Sequence, residues 1–380
     1  MDITSKCLEL SNMSYDDQLN HKIQLMKKYF PNHCGQMIAS PKIDYYRNKL
    51  RFDVGLDHIN NIVIGYALPK KISNKRYVYT ATDMKHVSHN MSEIITDLQN
   101  YLNNDKKPWY SIEYGSSSFQ SLTIRTSFNT NDLMIIANFN KKFDDDVTKY
   151  FYDFDTKYFL NIVIIFTDKM HVVRGSSYIH EKLSYYLFRI SCNSFFQVNT
   201  LSTELLYDKV KTLMQKYIST NKDTNFNILF DLCCGTGTIG IYLANLFTKS
   251  IGIDISQSNI IDANHNKTIN KIFNIEFICS PIECCLQNII DETQTYYENP
   301  NFFAVVDPPR TGMHGGVQNV INNCQSLKYV IYVSCNVVTL NRDMKILEKS
   351  FDICDVYYVD LFPHTPHCEV IMVLERKKID

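Results

Sequence analysis

From residue 227 onward, short apolar runs alternate with segments of helical periodicity. This alternation is typical of a parallel sheet whose strands are joined by crossover helices. The apolar runs predict strands at 227–232, 250–255, 275–280, 302–307, 329–334, 354–361 and 368–375. Helices are predicted at 238–247 and at 256–270, where Ser256 is a suitable N-cap. Because the last two strands are close in sequence, we expect a doubly wound, Rossmann-like α/β domain of seven strands that ends in a hairpin.

The first half of the chain has a different pattern. Runs of β-branched and aromatic residues, such as 121–126 and 133–137, are separated by polar turns, and a helix is predicted near 15–30. This pattern favours a mainly antiparallel α+β domain. A chain of 380 residues is long for one core. We therefore predict two domains, residues 1–190 and 191–380, with the boundary near residue 190.

Composition excludes several classes of protein. No run of 18 apolar residues is present, and the first residues lack a signal sequence, so a cytoplasmic or nuclear protein without a membrane span is expected. The twelve cysteines contain no C-x-x-C spacing and are expected to be reduced thiols. The group His364, His367 and Cys368 fits no standard zinc spacing, so no metal is expected. The net charge of −1 means that any nucleic-acid binding must use a local basic patch.

A glycine-rich loop follows the first strand of the second half. Residues 235–240 read G-x-G-x-x-G and open a helix, so the backbone there can approach a nucleotide-like ligand closely. Asp254 ends the next strand, where an acid can accept hydrogen bonds from ribose hydroxyls in NAD and S-adenosylmethionine alike. Asp231 and Asp307 favour S-adenosylmethionine, because carboxylates would repel a pyrophosphate but attract an ammonium or a sulfonium.

Cys335 is the candidate nucleophile. It follows the apolar run 329–333, and Asp307 and Arg310 follow the apolar run 302–306 in the same way. Reactive side chains at the ends of two strands indicate a thiol nucleophile at the carboxyl-terminal edge of a parallel sheet, where ligands of open α/β folds bind. This edge is called the mouth of the sheet below. The alternative is an inert buried cysteine, which is the common case.

Five motifs together resemble those of the RNA 5-methyluridine methyltransferases, in the order of that family. They are Phe-Phe-Gln-Val-Asn at 195–199, Asp-Leu-Cys-Cys-Gly-Thr-Gly at 231–237, Asp-Pro-Pro-Arg at 307–310, Ser-Cys-Asn at 334–336 and Pro-His-Cys-Glu at 366–369. Residues 15–19 and 46–49 are similar to segments of the branch that methylates the T-loop uridine, uridine 54, of transfer RNA. The run 361–369 is similar to the eukaryotic form of that branch.

The resemblance implies a residue-by-residue assignment. Cys335 is implied as the nucleophile and Glu369 as the base of a tRNA (uracil-5-)-methyltransferase. The cofactor S-adenosyl-L-methionine is expected against Gln197, Asp231, Cys233, Gly235, Thr238, Asp254 and Asp307. RNA contacts are expected from Arg310, Arg47 and Lys49, and the resemblance implies an RNA-binding domain at 1–190 and an S-adenosylmethionine-dependent methyltransferase domain at 191–380. At Cys233 the chain departs from relatives that often carry an aromatic residue, which leaves the packing of the adenosine in doubt.

The sequence leaves the RNA substrate open. A four-cysteine iron–sulfur motif and a separate small β-barrel, both found in some ribosomal-RNA members, are absent from the sequence, which favours tRNA without excluding ribosomal RNA. The sequence is also compatible with an RNA-binding or RNA-folding factor and with a nicotinamide oxidoreductase. A uridine must leave its stack to reach a pocket thiol, so basic and aromatic segments at 45–51 and 70–77 are candidate RNA contacts. We expect the protein to be a monomer.

Overall fold

The computed structural model describes residues 7–33, 35–67, 77–104, 119–140, 145–220 and 226–378. These residues form an eight-stranded sheet, a seven-stranded sheet and a two-stranded hairpin. In chain order the strands are β1 (Gln36–Ile38), β2 (Lys49–Leu56), β3 (Ile62–Ala67), β4 (Val78–Thr80), β5 (Phe119–Thr126), β6 (Leu133–Phe139), β7 (Asn161–Phe166), β8 (Lys169–Arg174), β9 (Tyr178–Leu183), β10 (Tyr186–Ser191), β11 (Asn227–Leu232), β12 (Lys249–Asp254), β13 (Ile275–Cys279), β14 (Asn301–Val306), β15 (Leu327–Ser334), β16 (Phe351–Val359) and β17 (Glu369–Arg376). The α-helices are α1 (Tyr15–Tyr29), α2 (His89–Asn104), α3 (Asp145–Asp153), α4 (Thr200–Thr220), α5 (Thr238–Leu243), α6 (Gln257–Ile269), α7 (Ile282–Tyr296), α8 (Gly315–Asn323) and α9 (Val337–Leu347).

The eight-stranded sheet has the order β1-β16-β17-β15-β14-β11-β12-β13. Strands β11 to β15 pair in parallel, and β17 runs antiparallel to both β15 and β16. The predicted doubly wound α/β domain with its final hairpin is therefore confirmed, but its sheet has eight strands rather than the predicted seven, because β1 from the N-terminal half adds to it. Every predicted strand is present, with ends shifted by up to three residues. The helix predicted at 238–247 is shorter, because α5 ends at Leu243 and continues as a 3₁₀ turn over Ala244–Leu246.

Both faces of this sheet are covered, which explains the continuous apolar runs in its sequence. Side chains alternate between two cores along each strand. On β14, Phe302 and Ala304 pack into one core and Phe303 and Val305 into the other, and all four are fully buried. The strand order reverses between β11 and β14, so the crevice beyond their carboxyl ends is where ligands of such folds bind.

The seven-stranded sheet has the order β4-β3-β2-β5-β6-β7-β8. It is antiparallel except for the pair β6 and β7. Helices α2 and α3 cover one face through buried residues that include Ile94, Leu98 and Phe151. This part of the chain has the α+β character that the sequence predicts.

The segment that contains α1 and β1 packs against the eight-stranded sheet. Strand β1 pairs in parallel with β16, and Met26 and Phe30 pack into a core of the eight-stranded sheet. A single division near residue 190 therefore does not separate the two sheets. Strand β1 has only three residues, too few for a recognisable alternating pattern. Within the ranges given above, no helix is long and apolar enough to cross a membrane.

Candidate active site

The carboxyl-terminal edge of the large sheet brings the predicted catalytic residues together. Cys335 directly follows β15, and Glu369 is the first residue of β17. These strands are antiparallel with Ser334 opposite Val370, so the register continues to place Cys335 opposite Glu369. Asp307 directly follows β14, the other neighbour of β15. A thiol and two carboxyl groups thus meet at one mouth.

The two loops that carry Asp307 and Cys335 are tied together. Asn336 caps α9, because its Oδ1 accepts a hydrogen bond from Val338 N at 3.1 Å, while its Nδ2 donates to Arg310 O at 3.0 Å. The Thr339 hydroxyl also donates to Arg310 O, at 3.3 Å. Asn336 therefore ties the start of α9, just after Cys335, to the loop that carries Asp307 and Arg310. Its position just before a helix was the sequence signal for this role.

Burial and neighbouring acids set the protonation of the mouth. The pKa of Cys335 is raised to about 12 by burial and then by Glu369 and Asp307, and the opposing charge of Arg310 is outweighed. Burial and Asp307 raise the pKa of Glu369 well above its usual range. Burial also raises the pKa of Asp307 to about 7, against a hydrogen bond from Gln197 Nε2 at 3.4 Å. Without a cationic ligand, Cys335 is a neutral thiol, and Glu369 and Asp307 together retain a proton.

The glycine loop turns sharply between β11 and α5. Cys233, Gly235 and Gly237 all have left-handed backbone conformations, with φ of 63°, 54° and 78°. Gly235 N donates to Asp254 Oδ2 at 2.9 Å, and Ser256 N donates to Asp254 Oδ1 at 2.8 Å. Asn259 Nδ2 also donates to Asp254 Oδ1, at 3.2 Å. Asp254 thus holds the loop beside the mouth of the sheet, and its Oδ2 keeps a lone pair for a ligand's hydroxyl group.

Asp231 lies fully buried beneath the glycine loop. Its Oδ2 accepts a hydrogen bond from Gly240 N at 2.7 Å, while its Oδ1 has no hydrogen-bond partner among the described residues. Burial raises the pKa of Asp231 to about 7. A buried acceptor without a partner is costly and fits a site that receives a cationic or hydrogen-bonding ligand.

Thr238 and Cys233 complete the predicted cofactor contacts. The hydroxyl groups of Thr238 and Tyr207 are 3.0 Å apart, and Tyr207 is buried on α4. Burial and then Asp307 raise the pKa of Tyr207, so its phenol stays protonated. Cys233 is half-buried, and burial with Asp254 and Asp307 raises its pKa to about 12. No sequence pattern indicates Tyr207, which lies on a helix of ordinary composition.

The three predicted RNA-contacting residues lie in different surroundings. Arg310 is exposed beside the mouth, and its charge acts on both Cys335 and Glu369. Arg47 is half-buried, with its guanidinium 5.8 Å from the ring centre of Phe362. Lys49 is half-buried on β2, and burial with neighbouring Arg125 lowers its pKa to about 8.

Arg47 and Lys49 flank Asn48, which links the smaller sheet directly to the loop that carries Gln197. Between them, Asn48 Nδ2 donates to Gln197 O at 2.9 Å, and Asn48 N donates to Val198 O at 2.9 Å. The link fixes the cation-bearing segment relative to Gln197 and hence to Asp307. Residues 70–76 of the second basic segment lie outside the described residues.

The described part of the chain contains no group of three or more metal-ligating side chains. His364, the first member of the C-terminal histidine and cysteine group, instead contacts Asp44 through Nε2 at 2.7 Å. Every described cysteine is a free thiol.

Comparison with known proteins agrees with this geometry. The sequence model described as tRNA (Uracil-5-)-methyltransferase matches residues 14–377. The chain belongs to the tRNA (uracil-5-)-methyltransferase family. An Acanthamoeba polyphaga mimivirus protein, provisionally named an RNA methyltransferase, is 55% identical over 100% of this chain and 98% of its own length. The mouse tRNA (uracil-5-)-methyltransferase homolog A is 30% identical over 89% of this chain and 58% of its own length.

The fold has a solved counterpart. A Pyrococcus abyssi tRNA (uracil-54, C5)-methyltransferase in complex with S-adenosyl-L-homocysteine superposes with a TM-score of 0.74 at 24% identity, over 96% of this chain and 84% of that one. As a member of the tRNA (uracil-5-)-methyltransferase family, the protein is an S-adenosylmethionine-dependent enzyme that acts on RNA. This excludes a nicotinamide oxidoreductase.

Gly237→Ala is expected to destabilise the glycine loop. At φ of 78°, an added Cβ would lie 2.5 Å from the Phe277 ring, so backbone strain and a steric clash combine. We expect a loss of about 2 kcal/mol or more in the free energy of unfolding, together with weaker cofactor binding. Urea unfolding measures the first and calorimetry the second. Gly315→Ala is the control, because its Cβ would meet nothing within 4 Å, and equal stability of both variants would contradict the prediction.

Cofactor affinity is expected to rise with pH. Asp231 and Asp307, both with a pKa of about 7, become carboxylates as the pH rises, and carboxylates attract a cationic ligand. Between pH 5.5 and 7.5 we expect binding to tighten about tenfold or more. Stability of the cofactor-free protein should change in the opposite sense. Because the pKa of each of these two acids is higher in the folded than in the unfolded protein, their protonation stabilises the fold. This contribution to the free energy of unfolding is present at low pH and is lost between about pH 4 and pH 7.

Calorimetric titration with S-adenosylmethionine and thermal unfolding across this range measure both effects. Asp231→Asn should flatten part of the pH dependence. An affinity that is constant or falls from pH 5.5 to 7.5 would show that these acids do not ionise to receive the ligand.

Proposed function

We propose that this protein methylates carbon 5 of a uridine in RNA, with Cys335 as nucleophile and Glu369 as base. The observation that carries the proposal is the register of β15 and β17, which ends with Ser334 opposite Val370 and so brings the adjacent residues Cys335 and Glu369 to the mouth of the sheet, where the charge of Glu369 acts on the thiol. Asp307 borders the same mouth, and its charge acts on both residues. Carbon 5 of uracil is a weak nucleophile, so a residue must first raise its electron density.

The reaction divides between the two side chains. The Cys335 thiolate adds to carbon 6, and the enolate that results in the uracil ring attacks through carbon 5. Bound S-adenosylmethionine supplies the methyl group. Glu369 then removes the proton from carbon 5, and the bond between carbon 6 and sulfur breaks to return the thiolate. The raised pKa of Glu369 makes its ionised form a stronger base than an ordinary carboxylate.

The structure also supports a way to control the thiol. Burial and two acids hold Cys335 neutral in the cofactor-free site. A cationic cofactor beside Asp307 offsets those negative charges and lowers the pKa of the thiol. In this proposal the nucleophile becomes reactive when the methyl donor is in place.

The substrate we propose is the T-loop uridine of transfer RNA. Support comes from the tRNA named in the family description and in the relatives' names, and from the segments 15–19, 46–49 and 361–369. The nucleotide must be flipped out of its stack to reach the buried mouth. Arg310, beside the mouth, and the half-buried Arg47 and Lys49, on the segment that Asn48 ties to Gln197, are proposed to contact RNA phosphates.

The test is methyl transfer from labelled S-adenosylmethionine to unmodified tRNA. The matched substrate carries cytidine in place of the T-loop uridine. We expect incorporation only with the uridine, and mapping of the product should find 5-methyluridine at that nucleotide. Equal incorporation into both tRNAs would refute the T-loop uridine as the methylated nucleotide. A parallel reaction with ribosomal RNA tests the alternative, and incorporation there alone would make ribosomal RNA the substrate.

A further inference from the structure

The segment that leads to Glu369 is an irregular connection in the protein interior. Strand β16 ends at Val359 and β17 begins at Glu369, and residues 360–368 between them form neither helix nor strand. Most of this segment is nevertheless buried, with His367 as an exposed exception. A buried irregular backbone must find hydrogen-bond partners elsewhere in the fold. Helix α1 provides several of them.

Helix α1 turns a polar face towards this segment. Tyr15, Gln18 and Lys22 are spaced at i, i+3 and i+7 and therefore lie on one face. Gln18 and Lys22 are 1% and 0% exposed, whereas a buried helix face is ordinarily apolar. Amphipathic periodicity does not reveal such a face, because its buried residues are a glutamine and a lysine.

Lys22 holds the start of the segment. Its Nζ is 2.6 Å from Asp360 Oδ1 and donates to Phe362 O at 3.0 Å, and both side chains of the ion pair are fully buried. Asp360 Oδ1 also accepts from Phe362 N at 3.0 Å, and its Oδ2 accepts from the Tyr15 hydroxyl at 3.0 Å. The ion pair thus fixes the first turn of the connection.

Gln18 holds the middle of the segment. Its Oε1 accepts from His364 N at 2.7 Å, and its Nε2 lies 3.2 Å from His364 Nδ1. If the amide donates to Nδ1, the ring proton is on Nε2, which faces Asp44 Oδ1 at 2.7 Å. His364 has a φ of 68°, a strained conformation for a non-glycine residue that these contacts maintain.

Glu369 itself has little to orient it. Its Oε2 is buried without a hydrogen-bond partner in the part of the chain that the structure describes. The position of this carboxyl group therefore depends on the backbone of Glu369, which pairs with Val359 of β16 and directly follows the segment 360–368. The end of the segment is closed by the Cys368 thiol, which lies 3.3 Å from Val359 O.

We propose that Lys22 is a positioning residue for Glu369, acting through Asp360 and Phe362 to fix the segment that presents the base. The inference rests on the proposed function of Glu369. Net stability is a weak explanation for the ion pair, because replacing a buried pair by neutral residues of similar size is often neutral or stabilising. A carboxyl group that must meet carbon 5 needs accurate placement, and a displacement of about 1 Å can cost about a hundredfold in rate.

The test uses the double variant Lys22→Met/Asp360→Asn, which removes the ion pair without leaving one charge buried alone. We expect kcat to fall about 10- to 100-fold, with the KM for tRNA and the affinity for S-adenosylmethionine unchanged. Proton removal should become rate-limiting, so deuterium at carbon 5 of uridine should slow the variant more than the wild type. A covalent protein–RNA adduct should accumulate during turnover.

Two further variants complete the design. Lys28→Met removes an exposed lysine of the same helix and should behave as wild type. Gln18→Ala removes neutral contacts to the same segment and should reproduce the isotope effect even where the double variant folds poorly. Wild-type kcat, or a loss of rate with neither an isotope effect nor an adduct, would overturn the positioning role. If Glu369→Gln itself accumulates no adduct, the proposed function fails instead.

Discussion

Cys335→Ala is expected to abolish methyl transfer to RNA. Removing a covalent nucleophile commonly costs more than about a thousandfold in rate. Binding of S-adenosylmethionine should persist or tighten, because loss of the thiol does not disturb the carboxyl groups that attract a cation. Initial rates with labelled cofactor and unmodified tRNA measure the first effect, and calorimetry measures the second.

A control substitution at another cysteine distinguishes loss of the nucleophile from a general loss of folding. Cys354 is exposed on β16 and its thiol lies 3.6 Å from Glu375 Oε2. Glu375 pairs with Tyr329, at the opposite end of β15 from Ser334, so Cys354→Ala should retain wild-type turnover. Substantial methylation by Cys335→Ala would end the covalent mechanism. Equal loss in both variants would indicate a defect in folding.

Glu369→Gln is expected to trap the enzyme on its RNA. Glutamine has nearly the same shape but cannot accept the proton from carbon 5, so methylation proceeds once and release stalls. We expect turnover to fall by about a thousandfold while a protein–RNA band that resists denaturation accumulates. Mass spectrometry of the band should find the added methyl group.

The control for this variant is Glu292→Gln, which changes an exposed carboxyl group of α7. It should leave turnover unchanged and form no persistent band. Normal turnover by Glu369→Gln would remove this residue from the mechanism. A stalled adduct without the added methyl would shift its role to a step before methyl transfer.

The α/β architecture was predictable because strands such as Phe302–Val306 are buried on both faces and therefore read as unbroken apolar runs. The acids and Cys335 could be placed because each stands at a strand end, and parallel strand ends meet at one edge. The role of Glu369 depended on family resemblance. As an isolated acid beginning an antiparallel strand, it has no distinguishing pattern.

Other features depend on tertiary contacts that a local pattern does not encode. Lys22 is fully buried although lysine usually lies in solvent, and only Asp360, far along the chain, explains it. The contact of Tyr207 with Thr238 likewise joins two helices of ordinary composition. The protonation of Cys335 follows from burial and from neighbouring acids, neither of which can be read from a motif.

The pairing of β1 with β16 has a consequence for biosynthesis. Ile38 pairs with Val359, roughly 320 residues later, so β1 emerges from the ribosome long before its partner strand. Loop closure over such a separation is slow. Until β16 arrives, the early strand and the polar face of α1 have nothing to dock against. Assembly of the site should therefore wait for the synthesis of β16, and nascent chains stalled before residue 351 should remain sensitive to protease near residue 38.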